Sequence, residues 1–314
     1  MLIRSLAVLL CFVGATVAQS KVVTEKKQPA DGLVGVPFVN ATAWAIADAK
    51  TGQFLYGLNE QEAMPMASIT KIMTALLVMK VATASASALS ETVKVSRFAG
   101  NTGGSSARLR PGDEVKVSDL LYGLLLPSGN DAANALAEHF GKRFENPKDI
   151  RSIPWNVRSA GRSPAWMNFV AEMNREAKRL KLVSTRFVNP HGLDTQYHYS
   201  TARDLLVLAK AVMAHAEIRR RVATREFRAT IVTASGTRRT ESWKNTNRLL
   251  GIEGYRGVKT GTTSKAGACL VSNAVRGENS LFIVVLNSNN RQGRYVDTRN
   301  LFRWAFSQRL AGGK

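Results

Sequence analysis

The sequence predicts an α+β fold: one antiparallel sheet built from both ends of the chain and flanked by helices, with a mostly helical subdomain inserted between them. Three observations carry that expectation. Strand-like segments occur early, around Trp44, Ile46, Phe54 and Tyr56, and again late, at residues 257–259, 268–275 and 281–286. Between them, apolar residues recur mainly at helical spacing. The 314 residues are 45% hydrophobic and 21% charged, a composition able to bury a real core.

At the N-terminus, Arg4 precedes an apolar stretch, and small residues follow at Ala15, Thr16 and Ala18. This pattern predicts a secretory signal over residues 1–18, followed by a flexible segment over 19–37 and a single catalytic domain over 38–314. The acid-free apolar stretch from Ser5 to Ala18 covers 14 residues, short of the ~20 that span a bilayer. No later segment reads as a span, so the expected product is exported, to a periplasm or to the cell exterior and wall. Of the two cysteines, Cys11 lies in the signal, which leaves Cys269 without a disulfide partner. A buried small hydrophobe is the expected role for Cys269.

From residue 39 to 58 the alternation predicts a hairpin turning at Asp48-Ala49-Lys50-Thr51-Gly52. Ile69, Ile72, Met73, Leu76 and Leu77 then predict a core-facing helix starting near Ser68, and the small-residue tract 83–90 predicts a loop. Residues 118–126 and 130–140 read as two helices separated by Pro127-Ser128-Gly129, which puts Ser128 and Asn130 at a turn. Helices are expected over 166–180 and 201–215, a strand over 230–233, and a closing helix over 298–306.

Charge narrows the partners. Forty-four Lys and Arg against 23 Asp and Glu give a formal net charge of +21, which favours an anionic polymer or surface. Nucleic acid is disfavoured. The arginine-rich run 219–239 contains a single aromatic, Phe227, so it offers no stacking platform, and the signal sends the chain out of the cytoplasm. A metal or other cofactor is not expected either, because the four histidines form no i, i+4 ligand pair.

Ser68-Ile69-Thr70-Lys71 places a hydroxyl and an amine on one helix face. Lysine can activate a serine where burial or nearby positive charge lowers its pKa. Alone the motif is weak, since Ser-x-x-Lys arises by chance in a chain of this length. Ser128-Gly129-Asn130 is matched by Ser288-Asn289-Asn290, and Lys-Thr-Gly also occurs twice. Lys50-Thr51-Gly52 reads as a structural turn, whereas Lys259-Thr260-Gly261 follows a strand and can line a groove that holds an anion.

In combination and in this order, the motifs resemble those of low-molecular-weight penicillin-binding proteins, the serine-type D-alanyl-D-alanine carboxypeptidases. The resemblance runs from about Phe38 to Phe306. It includes Pro65-Met66-Ala67-Ser68-Ile69-Thr70-Lys71, Leu126-Pro127-Ser128-Gly129-Asn130-Asp131, Asn189-Pro190-His191-Gly192-Leu193, Ser200-Thr201-Ala202-Arg203-Asp204 and Gly257-Val258-Lys259-Thr260-Gly261-Thr262. It implies a β-lactamase/DD-peptidase-like fold and an acyl-enzyme mechanism on peptidoglycan stem peptides. By that resemblance Ser68 is the nucleophile, Lys71 the general base, Ser128 a proton relay and Asn130 the partner of the substrate amide. Lys259 and Thr260 would hold the terminal carboxylate, Gly261 would let the substrate backbone approach, and the backbone N–H groups of Ser68 and Thr262 would form the oxyanion hole. Counting without gaps from Lys259 puts Arg294 where relatives place an arginine near the carboxylate. β-Lactams are the implied covalent inhibitors, anionic wall polymers the implied partners of the basic surface, and His191 the implied holder of a structural hydrogen bond.

Two departures set this chain apart. Relatives often carry a C-terminal β-rich domain and an anchor, and neither is expected here. The segment 141–165 looks longer than usual, with Trp155 and six basic residues against Glu145 and Asp149, and reads first as a surface loop and second as a rim that selects wall polymer. Among alternative functions, a D,D-endopeptidase that cuts cross-links comes next. A class A β-lactamase is disfavoured because Gly129 replaces its Asp and no Glu-x-x-Leu-Asn occurs, and a non-catalytic wall-binding protein leaves the catalytic set without a purpose. A Ser-His-Asp hydrolase lacks its Gly-x-Ser-x-Gly elbow.

Overall fold

The computed structural model describes residues 35–144, 153 and 161–311. The signal expected at 1–18, most of the segment 19–37, and Trp155 with most of its basic run therefore lie outside the described residues.

The two chain ends share one sheet. Strands β1 (Ala43–Asp48) and β2 (Phe54–Leu58) form the expected hairpin, and β1 pairs antiparallel with a late strand, β9 (Asn279–Ser288). Strands β7 (Tyr255–Thr263) and β8 (Gly267–Arg276) complete the order β2-β1-β9-β8-β7. Every residue of β1 is buried, which demands cover on both faces. One face packs beneath the closing helix α8 (Gly293–Ala311), where Trp44, Ile46, Ile283, Val285, Leu301, and Phe302 form a separate core. The other face carries Val271, Val284 and Phe282, which join the larger core around the helices.

The centre of that larger core is α1 (Lys71–Ala84), entered through a 3-10 turn at Ala67–Thr70. Its ten buried residues leave little of it exposed, as expected of a helix that is apolar nearly all round. The stretch Ala67–Ala84 reaches a mean hydropathy of 1.4 over 18 residues, long and apolar enough to cross a membrane, contrary to the expectation that no segment after the signal would be. It lies 72% buried inside the protein instead, packed among other elements. The tract 83–90 is also more ordered than a loop: α1 runs to Ala84 and a second 3-10 turn covers Ala86–Leu89.

Around α1 lie α3 (Val117–Leu125), α4 (Asn130–Phe140), α5 (Pro164–Arg179) and α6 (Ala202–Met213), close to their expected bounds. A short α2 (Arg97–Gly100) and α7 (Ala216–Ala223) were not anticipated. Nor is the inserted region purely helical. A second antiparallel sheet of β3 (Thr92–Lys94), β4 (Glu114–Lys116), β5 (Glu226–Val232) and β6 (Arg238–Lys244) flanks it. β6 escapes the alternation test because only Trp243 in it is buried and the rest is polar. The arginine-rich run 219–239 is thereby divided between α7 and the β5–β6 hairpin. Arg220 and Arg221 meet Glu217, and Arg239 meets Asp113 and Glu241.

Candidate active site

Ser68 sits where the 3-10 turn presses against β7. At Gly261 an added Cβ would stand 3.0 Å from Ala67 Cβ, Met66 O and Ser68 N, so only glycine lets the strand lie this close to the Ser68 amide. From the other side, Gly192 (φ +93°) abuts the turn, and its missing Cβ would fall 2.0 Å from the Ala67 carbonyl oxygen. Ala67 itself is held at φ +48°, an uncommon conformation that is maintained by this clamp. Thr70 locks the turn internally. Its hydroxyl donates to Ala67 O at 2.8 Å and lies 2.8 Å from His198 Nε2, while His198 Nδ1 accepts from the Val188 amide.

One turn along the same helix face, Lys71 Nζ lies 2.9 Å from Ser68 Oγ, 2.7 Å from Asn130 Oδ1 and 2.6 Å from His191 O. Lys71 is fully buried, and desolvation, followed by the charge of Lys259, holds its pKa well below the usual lysine range. A neutral amine has two N–H donors and one lone pair. Asn130 Oδ1 and the His191 carbonyl are acceptors only, so they take both N–H groups and direct the lone pair at the Ser68 hydroxyl. This arrangement readies Lys71 to receive that proton.

Asn130 opens α4, directly after the Pro127-Ser128-Gly129 interruption. Its Nδ2 donates to Gly103 O at 2.8 Å, which fixes the amide orientation and leaves the second N–H of Nδ2 for a substrate. Asp131 secures this turn: its buried carboxylate accepts from the amides of Ala107, Leu109 and Ala132 and from the Ser106 hydroxyl. Ser128, at φ +67°, is buried, and its Oγ has no hydrogen-bond partner among the described residues. A buried hydroxyl left unpaired is costly, and a substrate in the cleft can satisfy it.

Lys259 and Thr260 lie on β7, on the far side of the cleft. Burial, then the charge of Arg294, lowers the Lys259 pKa to about 7. Its Nζ donates to Thr260 O, and the Thr260 hydroxyl is 2.7 Å from that of Thr246. Arg294 is buried on α8 and braces β7, donating to Gly261 O at 3.0 Å and to Thr262 Oγ1 at 2.9 Å. Its other nitrogen reaches Tyr295 Oη, which in turn donates to Thr246 O. Arg294 thus lines the cleft and holds the hydroxyl-bearing strand.

These groups meet in a cleft of about 410 Å³ lined by Ser68, Ser128, Thr260, Gly261, Thr262 and Arg294, the expected set, with Asn130 and the two lysines just behind. Ser105, Thr246, Arg248, Arg291 and Tyr295 also line it and escaped sequence reading. Asn247-Arg248 follows β6 with no motif to mark it. Arg248 and Arg291 are both exposed at the cleft, with no hydrogen-bond or ion-pair partner among the described residues. The duplicated motifs fall outside this cleft. Lys50-Thr51-Gly52 is the β1–β2 turn, and Ser288 donates to Asp297 at the end of β9.

His191 holds a structural hydrogen bond as expected: Nδ1 accepts from the Leu193 amide, and burial pushes its pKa well down. Cys269 is buried, donates to Ala266 O and has its pKa raised to about 11 by desolvation. Among the described residues no cluster of His, Cys, Asp and Glu could hold a metal.

The family profile described as D-alanyl-D-alanine carboxypeptidase matches residues 30–144 and 162–290. The chain belongs to that family. The unmatched gap, 145–161, coincides with the segment that looked inserted. The D-alanyl-D-alanine carboxypeptidase DacF of Bacillus subtilis is 33% identical over 269 residues, 85% of this chain and 62% of the relative, so the chain spans less than two thirds of that protein. The crystal structure of the Streptomyces K15 DD-transpeptidase is similar with a TM-score of 0.76 and 33% identity, covering 87% of this chain and all of that one. Penicillin-binding protein D2 from Listeria monocytogenes, solved in its ampicillin-bound form, matches with a TM-score of 0.67 and 28% identity over 86% of this chain and 98% of that one. The β-lactamase/DD-peptidase-like fold is thereby established for this chain.

Proposed function

We propose that this protein is a serine D-alanyl-D-alanine carboxypeptidase that removes the terminal D-Ala of peptidoglycan stem peptides. The observation that carries the reading is the buried Lys71 amine, aimed at Ser68 Oγ by two acceptor-only partners. Lys71 takes the Ser68 proton as Oγ bonds to the penultimate carbonyl carbon, forming a tetrahedral oxyanion that becomes the acyl-enzyme ester only when the C–N bond breaks. The Ser68 amide, against which β7 lies at Gly261, supports an oxyanion hole completed by the Thr262 amide. Collapse of the intermediate breaks the peptide bond. Ser128, whose hydroxyl has no protein partner, relays the proton from Lys71 to the departing D-Ala amine.

Asn130 Nδ2 and β7 align the acyl side, while Lys259, the Thr260 and Thr262 hydroxyls and the exposed Arg248 guanidinium receive the terminal carboxylate. Arg294 acts there through Thr262 and Gly261. Water then hydrolyses the ester, with Lys71 again serving as base. A β-lactam presents the same acyl group and carboxylate and is expected to acylate Ser68; ampicillin bound to the Listeria monocytogenes neighbour supports that expectation. Export through residues 1–18 rests on the sequence pattern.

The test is to incubate the protein and its Ser68→Ala variant with pentapeptide muropeptides and cross-linked dimers, with products read by mass spectrometry. Loss of one alanine from the pentapeptide, by the wild type only, is expected. Cleavage of dimers with pentapeptides left intact would overturn this reading in favour of the endopeptidase, and no change in either substrate would leave only wall binding.

A further inference from the structure

A second cavity, of about 580 Å³, shares no lining residue with the catalytic cleft. Strand β7 connects the two. Arg256 at its start lines the second cavity, and Thr262, six residues on, lines the cleft, a separation of about 20 Å at ordinary strand rise.

Five cations surround this cavity: Lys50 from the β1–β2 turn, Lys210 from α6, Arg219 and Arg220 from α7, and Arg256. No lining residue is acidic. Carboxylates nearby are already engaged. Glu217 pairs with Arg220 and Arg221, and Asp48 pairs with Arg309 and caps its own turn through the amides of Lys50 and Thr51. Lys50 and Arg256 are exposed and have no ion-pair or hydrogen-bond partner among the described residues, while Arg219 donates only to the backbone carbonyls of Met213 and Ala214. The Lys50-Thr51-Gly52 turn, which the catalytic reading does not use, is tied into this rim. Lys210 Nζ donates to Thr51 O, and a Cβ on Gly52 (φ +81°) would strike the Lys210 side chain at 2.7 Å.

Between the cations the floor is apolar, made chiefly of Phe282, Val275 and Met213. A wholly hydrophilic polyanion would meet the rim alone, where exposed ion pairs contribute little, and would leave this floor uncovered. An anion carrying an alkyl chain satisfies both.

We propose that this cavity binds an anionic lipid, its phosphate among Lys50, Lys210 and Arg256 and the first part of its acyl chain against Phe282, Val275 and Met213. The site gives the strongly basic chain a specific contact with an anionic membrane, independent of the catalytic cleft. The probe is lysophosphatidylglycerol below its micelle concentration, titrated calorimetrically into the full chain. One lipid per chain is expected, weakening at least tenfold for lysophosphatidylcholine and again when the chain is shortened from twelve carbons to eight.

The paired change Lys50→Glu with Arg256→Glu should weaken binding at least tenfold, while pentapeptide cleavage stays at wild-type rate and reports an intact fold. The milder Lys50→Gln with Arg256→Gln keeps the test available should the reversal disturb folding. Equal binding of the zwitterionic lipid, or unchanged binding by both paired variants, would overturn the proposal. Binding of glycerol phosphate or poly(glycerol phosphate) as tight as the lipid would also overturn it and mark the cavity as a wall-polymer site.

Discussion

Replacing Asn130 by Asp tests the protonation state on which the mechanism turns. The side chain is nearly isosteric, yet it places a carboxylate 2.7 Å from Lys71 Nζ, where an amide oxygen now stands. Two unit charges at that separation interact by about 6 kcal/mol at an effective dielectric constant of about 20. This attraction favours the ammonium form and raises the Lys71 pKa. Burying the new carboxylate opposes it in part, and a net rise of the Lys71 pKa is the working expectation.

The new charge favours the Lys71 ammonium, which has no lone pair for Ser68. Acylation by a fluorescent penicillin at pH 7.5 should fall about 100-fold and recover about tenfold per pH unit as the base is restored. Stopped-flow acylation rates between pH 6 and 10 read this directly. The pH slope separates the effect from the loss of the Asn130 Nδ2 donor, which would lower the rate equally at every pH. A variant whose rate is depressed by a constant factor, or not at all, would refute a neutral lysine base.

Four further outcomes follow from the same geometry. With its pKa lowered to about 7, Lys259 loses its proton as pH rises through that value, so kcat/KM for a carboxylate-bearing peptide should decline above pH 7; a profile flat to pH 9 would remove Lys259 from carboxylate binding. The unfolded chain still binds that proton up to the ordinary lysine pKa near 10.5, so folding stability should rise between pH 7 and 10.5 relative to Lys259→Met, as measured by urea titration. Gly192→Ala must relieve a 2.0 Å approach to Ala67 O at positive φ, and should cost about 3 kcal/mol or more in denaturant unfolding together with loss of acylation. Asp131→Asn turns a donor toward backbone amides that now find an acceptor and should cost about 2–4 kcal/mol; a melting temperature unchanged from the wild type would contradict its bracing role.

The residues of the candidate site were legible because each belongs to a short motif, and the motifs follow one another in order along the chain. Ser68 and Lys71 share a helix face by spacing alone, and Lys259, Thr260 and Gly261 share a strand. Residues such as Thr246, Arg248 and Tyr295 carry no such signal. They reach the cleft only because β6, the following 3-10 turn (Arg248–Gly251) and α8 converge there. The second sheet was partly hidden for a related reason: its strands are short or expose most of their side chains, so burial does not imprint alternation on them.

Sequence by itself determined most of the local elements and the candidate reacting groups, since periodicity and side-chain chemistry are properties of neighbouring residues. It also determined the excess of positive charge. Tertiary structure alone decided the state of those groups. Lys71 is an ordinary lysine until α1 is enclosed by the other helices, and its lone pair faces Ser68 only because Asn130 and the His191 carbonyl, far off in sequence, consume its N–H groups. Long-range packing likewise gathers five cations from four separate segments around one apolar floor. Desolvation and hydrogen-bond direction depend on what surrounds an atom in space, and a linear sequence does not specify that until the chain has closed on itself.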